Sequence, residues 1–293
     1  MRRFFYAVSN DNADASALPK LGELPIGSNV ELPDSIVHHW CRVLRANIGD
    51  QGILFDGFGG EYTVQLQAIS KKNATATLLA HIDDDRTAAT ITQIGLVMSR
   101  GERMDYAIQK ATELGVTAIQ LLSSHHGEVT LKPAQIEKKL LHWQQVAIAA
   151  CEQCGLNRPP LILAPQSINE WLSNTNSDAK ATEATKAQMA VSSIVSVLSH
   201  DPYYQVLANA ADLCMQMSVP AAGQPAMPSA LSDILKQQTP YIKLLIGPEG
   251  GLSHDECQQA ESVGFKPWQI GTRVLRTETA PVVALATLHA LSP

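Results

Sequence analysis

The sequence predicts a two-part protein: a small β unit at the amino end, then a larger α/β unit built on a mostly parallel sheet with helices on its faces. Three observations predict it. Polar and apolar residues alternate through Glu61-Tyr62-Thr63-Val64-Gln65-Leu66-Gln67, the period of a half-buried strand. From Ile91 onward, compact apolar runs alternate with stretches of helical period, as in strand–helix units on a parallel sheet. A chain of 293 residues also exceeds one average domain, which favours two.

In the first part, Ser35–Arg45 reads as a short helix ending near Gly49. Ile53-Leu54-Phe55 is a strand running into the turn Asp56–Gly60. Glu61–Gln67 and Ala74–Leu79 are two more strands. Short strands with one helix suggest a small barrel over residues 1–80, and the polar stretch His81–Arg86 reads as a linker to a second unit at 90–293. There, Ile94–Met98 is a strand, followed by a helix with Met104, Ile108, Ala111 and Leu114 at helical spacing and Gly115 as its C-cap. Ala118–Leu122 is the next strand. Pro133 suits the first turn of a long helix whose apolar positions include Ile136, Leu140, Trp143, Ala147 and Ala150. Leu161–Leu163 is a third strand.

The Ala-, Ser- and Thr-rich stretch 174–199 and the Pro-containing stretch 215–238 read as low-complexity surface insertions, disordered in part, around a strand at Tyr204–Leu207. Order returns with the buried strand Tyr241–Ile246. Ser253 and Glu256 then make the capping box of a helix that stops near Gly264. A strand around Trp268–Ile270 leads through Gly271–Ala280 into a last apolar helix from about Pro281 to Leu291.

Composition bounds the function. No apolar run reaches the ~20 residues of a membrane span. The start, Met1–Tyr6, has two arginines but no signal-peptide h-region, so a cytoplasmic protein is expected. Five cysteines without a paired framework agree with that compartment; Cys151 and Cys154, inside a helix, read as small buried side chains. The net charge of −6 argues against a uniformly basic nucleic-acid surface. The charge is uneven, however: between Gln166 and Pro240 six carboxylates stand against three lysines. His38, His39, His125 and His126 carry no ligand spacing, so no metal is expected.

Two loops at strand ends carry the chemistry. Gly247-Pro248-Glu249-Gly250-Gly251 leaves its backbone open to close approach; it has neither the Gly-Lys-Ser/Thr of a phosphate loop nor a dinucleotide fingerprint. Read alone, it is a ligand loop or a tight turn. In the second loop Arg273, Arg276 and Glu278 crowd the start of an otherwise apolar helix. They are either a surface ion cluster or a cation and a carboxylate at the lip of the cleft that holds Glu249.

With these two loops go Val97–Asp105, Gln109–Gly115, Ala147–Gly155, His39–Arg45 and Phe55-Asp56-Gly57. As an ordered set, these segments resemble the RsmE family, bacterial 16S rRNA (uracil-N3)-methyltransferases of the SPOUT superfamily. The resemblance implies an amino-terminal PUA-like β-barrel that binds RNA and a SPOUT-type parallel sheet whose carboxy-terminal part is tied in a deep trefoil knot. It implies S-adenosylmethionine as cofactor, a homodimer, and methylation of N3 of one uridine of 16S rRNA near the decoding centre of the small ribosomal subunit. By the same resemblance Leu121, Leu122, Gly247, Glu249, Gly250, Gly251, Ile270, Gly271, Leu275 and Thr279 bind the cofactor. The crowding of Arg276 and Glu278 at this loop, beside a uridine N3–H that must lose its proton, assigns Arg276 to positioning the base and Glu278 to accepting the proton, with a purely structural Arg276–Glu278 pair as the other reading. Arg2, Arg3, Arg42, Arg45, Arg100 and Arg103 contact RNA, Arg42 and Arg45 from one helix face. Two departures stand out: Pro165–Pro240 is longer than the family's connection and lacks its His-Pro, and His125-His126 stand where an Arg is usual. Rival readings are a SPOUT methyltransferase acting on transfer RNA or another base, and a catalytically silent ribosome-assembly factor.

Overall fold

The computed structural model describes residues 1–8, 18–175, 193–219 and 226–292. The amino-terminal part is a five-stranded sheet of β1 (Arg2–Phe5), β2 (Asn29–Glu31), β3 (Gln51–Phe55), β4 (Glu61–Ile69) and β5 (Ala74–Ile82), in the order β1-β3-β4-β5-β2. Only the β1–β3 pair is parallel. The alternation read in 61–67 places Val64 and Leu66 in a core with Phe4, Trp40 and Leu78. The first two strands escape the sequence reading because they are short and their apolar residues are few.

The expected helix at 35–45 is a turn of α-helix (α1, Asp34–Ile36) continued by a π-helical stretch, Val37–Val43, which seats the Trp40 ring 5.0 Å from Phe4. It ends before Arg45, whose φ is +56°, so Arg42 and Arg45 do not share a helix face. Both are exposed, and Arg42 donates to the Lys71 carbonyl at 2.6 Å.

The larger part is a six-stranded, all-parallel sheet: β6 (Ile91–Val97), β7 (Ala118–Ser123), β8 (Leu161–Ser167), β9 (Leu213–Met217), β10 (Tyr241–Ile246) and β11 (Lys266–Trp268), ordered β11-β9-β10-β6-β7-β8. Helices α2 (Glu102–Glu113), α3 (Pro133–Cys154), α4 (Ile168–Thr175), α5 (Ser193–Leu198), α6 (Pro202–Gln205), α7 (Leu231–Ile234), α8 (His254–Ser262) and α9 (Ala280–Leu291) connect and cover it. The main core joins Ile94, Leu96, Ile242 and Leu244 to Met104, Trp143, Ala284 and Leu288 of α2, α3 and α9. On the other face Leu122 and Leu245 meet Trp171, Ala260 and Phe265. A Cβ on Gly95 would come within 2.6 Å of the Trp171 ring, so the glycine lets α4 lie flat on the sheet.

Several expectations change. The segment 215–238 is not simply an insertion, because Leu213–Met217 is a sheet strand between β10 and β11. Tyr204–Leu207 is helical: Asp201 caps α6 by accepting from the Tyr203 N–H (2.9 Å), and Pro202 sits in its first turn. Within 174–199, Val195, Val197 and Leu198 of α5 are buried; the disorder expected at 176–192 and 220–225 lies outside the described residues. The last strand ends at Trp268, two residues before Ile270. Cys151 is buried, but Cys154 is exposed. No helix among the described residues is long and apolar enough to cross a membrane.

The stretch after β5 is a joint rather than a free linker. Glu61, nearly inaccessible, pairs with Arg3 and receives two hydrogen bonds from Arg86, at 2.8 and 3.0 Å. Both arginines also donate to the carbonyl of Gly155 beyond α3, at 3.2 and 2.8 Å. Next to this, Arg158 donates to Asp85 (2.6 Å) and Asp201 (2.8 Å), and the Phe5 N–H donates to Glu152 (3.0 Å). Phe5 and Phe55 pack on Ile148, Cys151 and Leu156. Arg3, expected on an RNA surface, is therefore enclosed in this joint, its guanidinium taken up by Glu61, Asn157 and Gly155.

Burial alone would raise the Glu61 pKa, but the hydrogen bonds from Arg86 and Arg3 outweigh it and hold the carboxyl at about 2, below the ordinary 4.5. The unfolded chain thus takes up the proton first. The stabilisation is complete above 4.5 and lost as the pH falls toward 2. Denaturant unfolding of the wild type across this window should show stability dropping with acidification, and Glu61→Gln should lose that part of the slope. An identical pH slope in both proteins would contradict the account.

Candidate functional site

Parallel pairing sends the carboxyl ends of β9, β10 and β11 to one edge of the sheet, where open α/β sheets bind ligands. The loop after β10, Gly247–Gly251, turns back on itself through the Gly251 N–H to Pro248 carbonyl bond (2.9 Å), with Gly251 at φ +74°. Its far end is fixed by α8. Ser253 caps that helix by accepting from the Glu256 N–H (3.2 Å), while Glu256 accepts from the Ser253 N–H (2.8 Å) with one carboxylate oxygen. The other oxygen accepts from the His125 N–H (2.8 Å), tying in the loop after β7. His126 Nδ1 lies 3.2 Å from the Gly251 carbonyl oxygen. The two histidines thus brace the glycine loop. Among the described residues no three His, Cys, Asp or Glu side chains gather into a cluster able to hold a metal ion.

The last loop, between β11 and α9, closes over this one. Thr277, buried, donates to the Gly247 carbonyl at 3.2 Å. Between the loops lies a cleft of about 370 Å³, within the usual range for small-molecule sites. Its walls are the Gly247–Gly251 backbone, apolar side chains including Ile246, Ile270 and Leu275, and polar residues of β9 and α8. Arg103, from α2, pairs with Glu249 at the lip; Arg100 pairs with Glu128 at 3.3 Å, and both arginines stay largely exposed. Burial, with Glu261 and Glu256 nearby, pushes the Cys257 thiol upward, so this wall carries a neutral thiol.

Of the residues singled out for the cofactor, Gly247, Glu249, Gly250, Gly251, Ile270 and Leu275 line this cleft. Leu121 and Leu122 do not. Both are buried in β7, where Leu121 joins the main core and Leu122 the cluster on the opposite face. Gly271, at φ +75°, adjoins the lining at Ile270. Thr279 flanks the cleft as the N-cap of α9, its N–H donating to the Arg276 carbonyl at 2.9 Å. Arg276 points to solvent, its guanidinium 4.0 Å from Glu278, too far for a hydrogen bond. Glu278 is mostly enclosed, 12% exposed, and one of its carboxylate oxygens has no hydrogen-bond partner.

The sequence reading missed Gln216, Ser218, Cys257 and Thr277, all of which line the cleft. The alternation in Leu213–Met217 was the available signal for the first two; the surrounding Ala, Pro and Ser residues masked it.

Comparisons with known proteins agree with this architecture. A model of the RNA methyltransferase domain matches residues 87–201 and 194–289, and a model of the RNA methyltransferase PUA domain matches 32–79. The chain is 28% identical over 261 residues to ribosomal RNA small subunit methyltransferase E of Buchnera aphidicola subsp. Acyrthosiphon pisum, covering 89% of this chain and 87% of the relative. To the Bacillus subtilis protein of that name it is 26% identical, covering 86% of each. The crystal structure of a ribosomal RNA small subunit methyltransferase E from Neisseria gonorrhoeae bound to S-adenosyl methionine superposes with a TM-score of 0.73 at 32% identity, covering 99% of this chain and 98% of that one. A Legionella pneumophila methyltransferase in complex with SAM gives the same TM-score and coverage at 27% identity. The chain belongs to the RNA methyltransferases and, within them, to the ribosomal RNA small subunit methyltransferase E family.

Glu256 is the brace on which the glycine loop depends. Glu256→Ala would leave the part-buried His125 and Ser253 N–H groups without their acceptor, a loss of about 1 kcal/mol, the lower end of the range for unsatisfied donors. Denaturant unfolding should register it, and amide exchange at His125 and Ser253 should accelerate. Unchanged protection at both amides would contradict the bracing role.

Proposed function

We propose that this enzyme transfers the methyl group of S-adenosylmethionine to N3 of one uridine in the 16S rRNA of the small ribosomal subunit. The carrying observation is the clasped pair of loops: Thr277 closes a glycine-walled cleft, and its neighbour in the chain, Glu278, is a mostly enclosed carboxylate with one oxygen lacking a hydrogen-bond partner. Family membership supports SAM-dependent methylation of small-subunit rRNA; the uridine N3 target and the residue roles are our reading.

The cleft suits the cofactor. The glycine backbone admits close approach, Ile270 and Leu275 offer apolar surface for an adenine ring, and unpartnered polar atoms on Gln216 and Ser218 await a ligand. Gly247, Glu249, Gly250, Gly251, Ile270, Gly271, Leu275 and Thr279 are assigned to holding it. S-adenosylmethionine supplies an electrophilic methyl whose bonding pair stays on sulfur when the uridine nitrogen takes it.

The protein's part is alignment and one proton. Glu278 accepts the N3 proton, freeing the nitrogen's electron pair for the new N–CH3 bond. Arg276, extended into solvent, meets the uracil oxygens and offsets the charge that develops there. The exposed Arg2, Arg42 and Arg45, with Arg100 and Arg103 beside the cleft, are assigned to rRNA. The reading includes a PUA-like barrel at 1–80, a SPOUT domain at 90–293 knotted around the cleft, and a homodimer.

Transfer of labelled methyl from S-adenosylmethionine to small-subunit RNA tests the roles. Glu278→Gln should slow turnover about 10²-fold or more, the usual worth of a positioned base, and cofactor affinity should change little. Arg276→Ala should reduce turnover and weaken RNA capture together. Near wild-type turnover in both variants would remove these assignments.

A further inference from the structure

We infer that Gln216 is the side chain that recognises the adenosine half of the cofactor, an inference that rests on the S-adenosylmethionine reading of the cleft. Gln216 lies near the carboxyl end of β9, opposite Leu245 of β10 and Pro267 of β11. Its neighbour Met215 points into the main core, so Gln216 faces the other side of the sheet, where Leu245 packs with Leu252. It lines the cleft and is only 4% exposed. Its carbonyl oxygen is buried without a hydrogen-bond partner. A buried carboxamide left this way costs free energy until a ligand satisfies it, and native proteins keep few such groups.

The chemistry of a carboxamide selects the ligand group. It presents an acceptor and a donor side by side, and rotation about its last torsion exchanges them. The methionine end of the cofactor offers only donors on its ammonium and only acceptors on its carboxylate. Both are charged and are better matched by the charged groups of the exposed lip, Glu249 and Arg273. The adenine edge, by contrast, places the N6 amine beside a ring-nitrogen acceptor, the pattern that Gln meets bidentately. The ribose hydroxyls likewise donate and accept. The target uracil is excluded as the partner, because its own donor–acceptor edge includes N3, which must stay bare to be methylated. Adenosine is the part of the ligand that matches a neutral, two-sided group held rigidly in a strand.

Calorimetric titration of the full chain with S-adenosylhomocysteine tests the assignment, using the wild type and the near-isosteric Gln216→Met. The variant should bind about tenfold more weakly or worse, the order expected for losing a paired amide contact. The 6-desamino (purine riboside) analogue of S-adenosylhomocysteine and its 2′- and 3′-deoxyribose analogues then locate the contact, the first because no rotation of the carboxamide can replace the missing amine. The wild type should lose affinity for the desamino analogue if the base is read, or for a deoxy analogue if the ribose is read, and the variant should show no such further loss. If the Met variant does not fold by circular dichroism, Gln216→Glu, which keeps the shape but loses the donor, takes its place with the same expected loss. Equal affinity of wild type and variant for S-adenosylhomocysteine, or equal analogue penalties in both, would overturn the role of Gln216 alone. A wild type that binds no S-adenosylhomocysteine would instead overturn the cofactor reading on which it rests.

Discussion

The site rests on a constraint of direction. Because β9, β10 and β11 run parallel, three chain segments distant in sequence must emerge at the same edge of the sheet. Nothing in that geometry yet makes a pocket. The loops become a cleft because side chains stitch them: Thr277 to Gly247, His125 to Glu256, Glu256 to Ser253, and Arg103 to Glu249. Glu256 and Ser253 fix the loop's own far end, and the other three stitches each reach a different connection of the sheet, so the cleft is held from several directions and its backbone groups are fixed before a ligand arrives. Fixed donors and acceptors need not reorganise as charge develops, which is how such sites favour a transition state.

A second constraint links the two halves of the chain. Glu61, enclosed between two guanidiniums, holds the first sheet against the carbonyl at the end of α3, and Arg158 repeats the device with Asp85 and Asp201. The joint leaves the acidic net charge unchanged, because Glu61, Asp85 and Asp201 are taken up there together with Arg3, Arg86 and Arg158. On the first unit Arg42, Arg45, Lys71 and Lys72 stand exposed, in no ion pair among the described residues. What RNA meets is set by that distribution rather than by the sum.

Much of this was legible in the sequence where a strong period coincided with a strong boundary signal. Tyr241–Ile246 is six apolar or buried residues ending at a glycine, and Ser253 with Glu256 announces its helix. The structure keeps both. Legibility failed where tertiary context decided. Leu213–Met217 is an interior strand only because β10 and β11 flank it, and its neighbours in sequence resemble an insertion. Arg3 looked like an RNA contact because its partners, Glu61, Gly155 and Asn157, are all more than fifty residues away. Leu121 and Leu122 were assigned to the cofactor by resemblance, yet a buried strand puts successive side chains on opposite faces, and both faces here are core. Thr277 left no local signal, since a polar residue in a short segment reads as surface until the cleft around it is seen.

The central claim is that this cleft delivers a methyl group to N3 of a single uridine. Mass mapping of modified bases in small-subunit rRNA, from cells lacking the protein and from cells carrying only Glu278→Gln, measures it most directly. The account predicts that one N3-methyluridine disappears in the first and is strongly depleted in the second, with other modifications intact. Unaltered rRNA in the cells lacking the protein would contradict it.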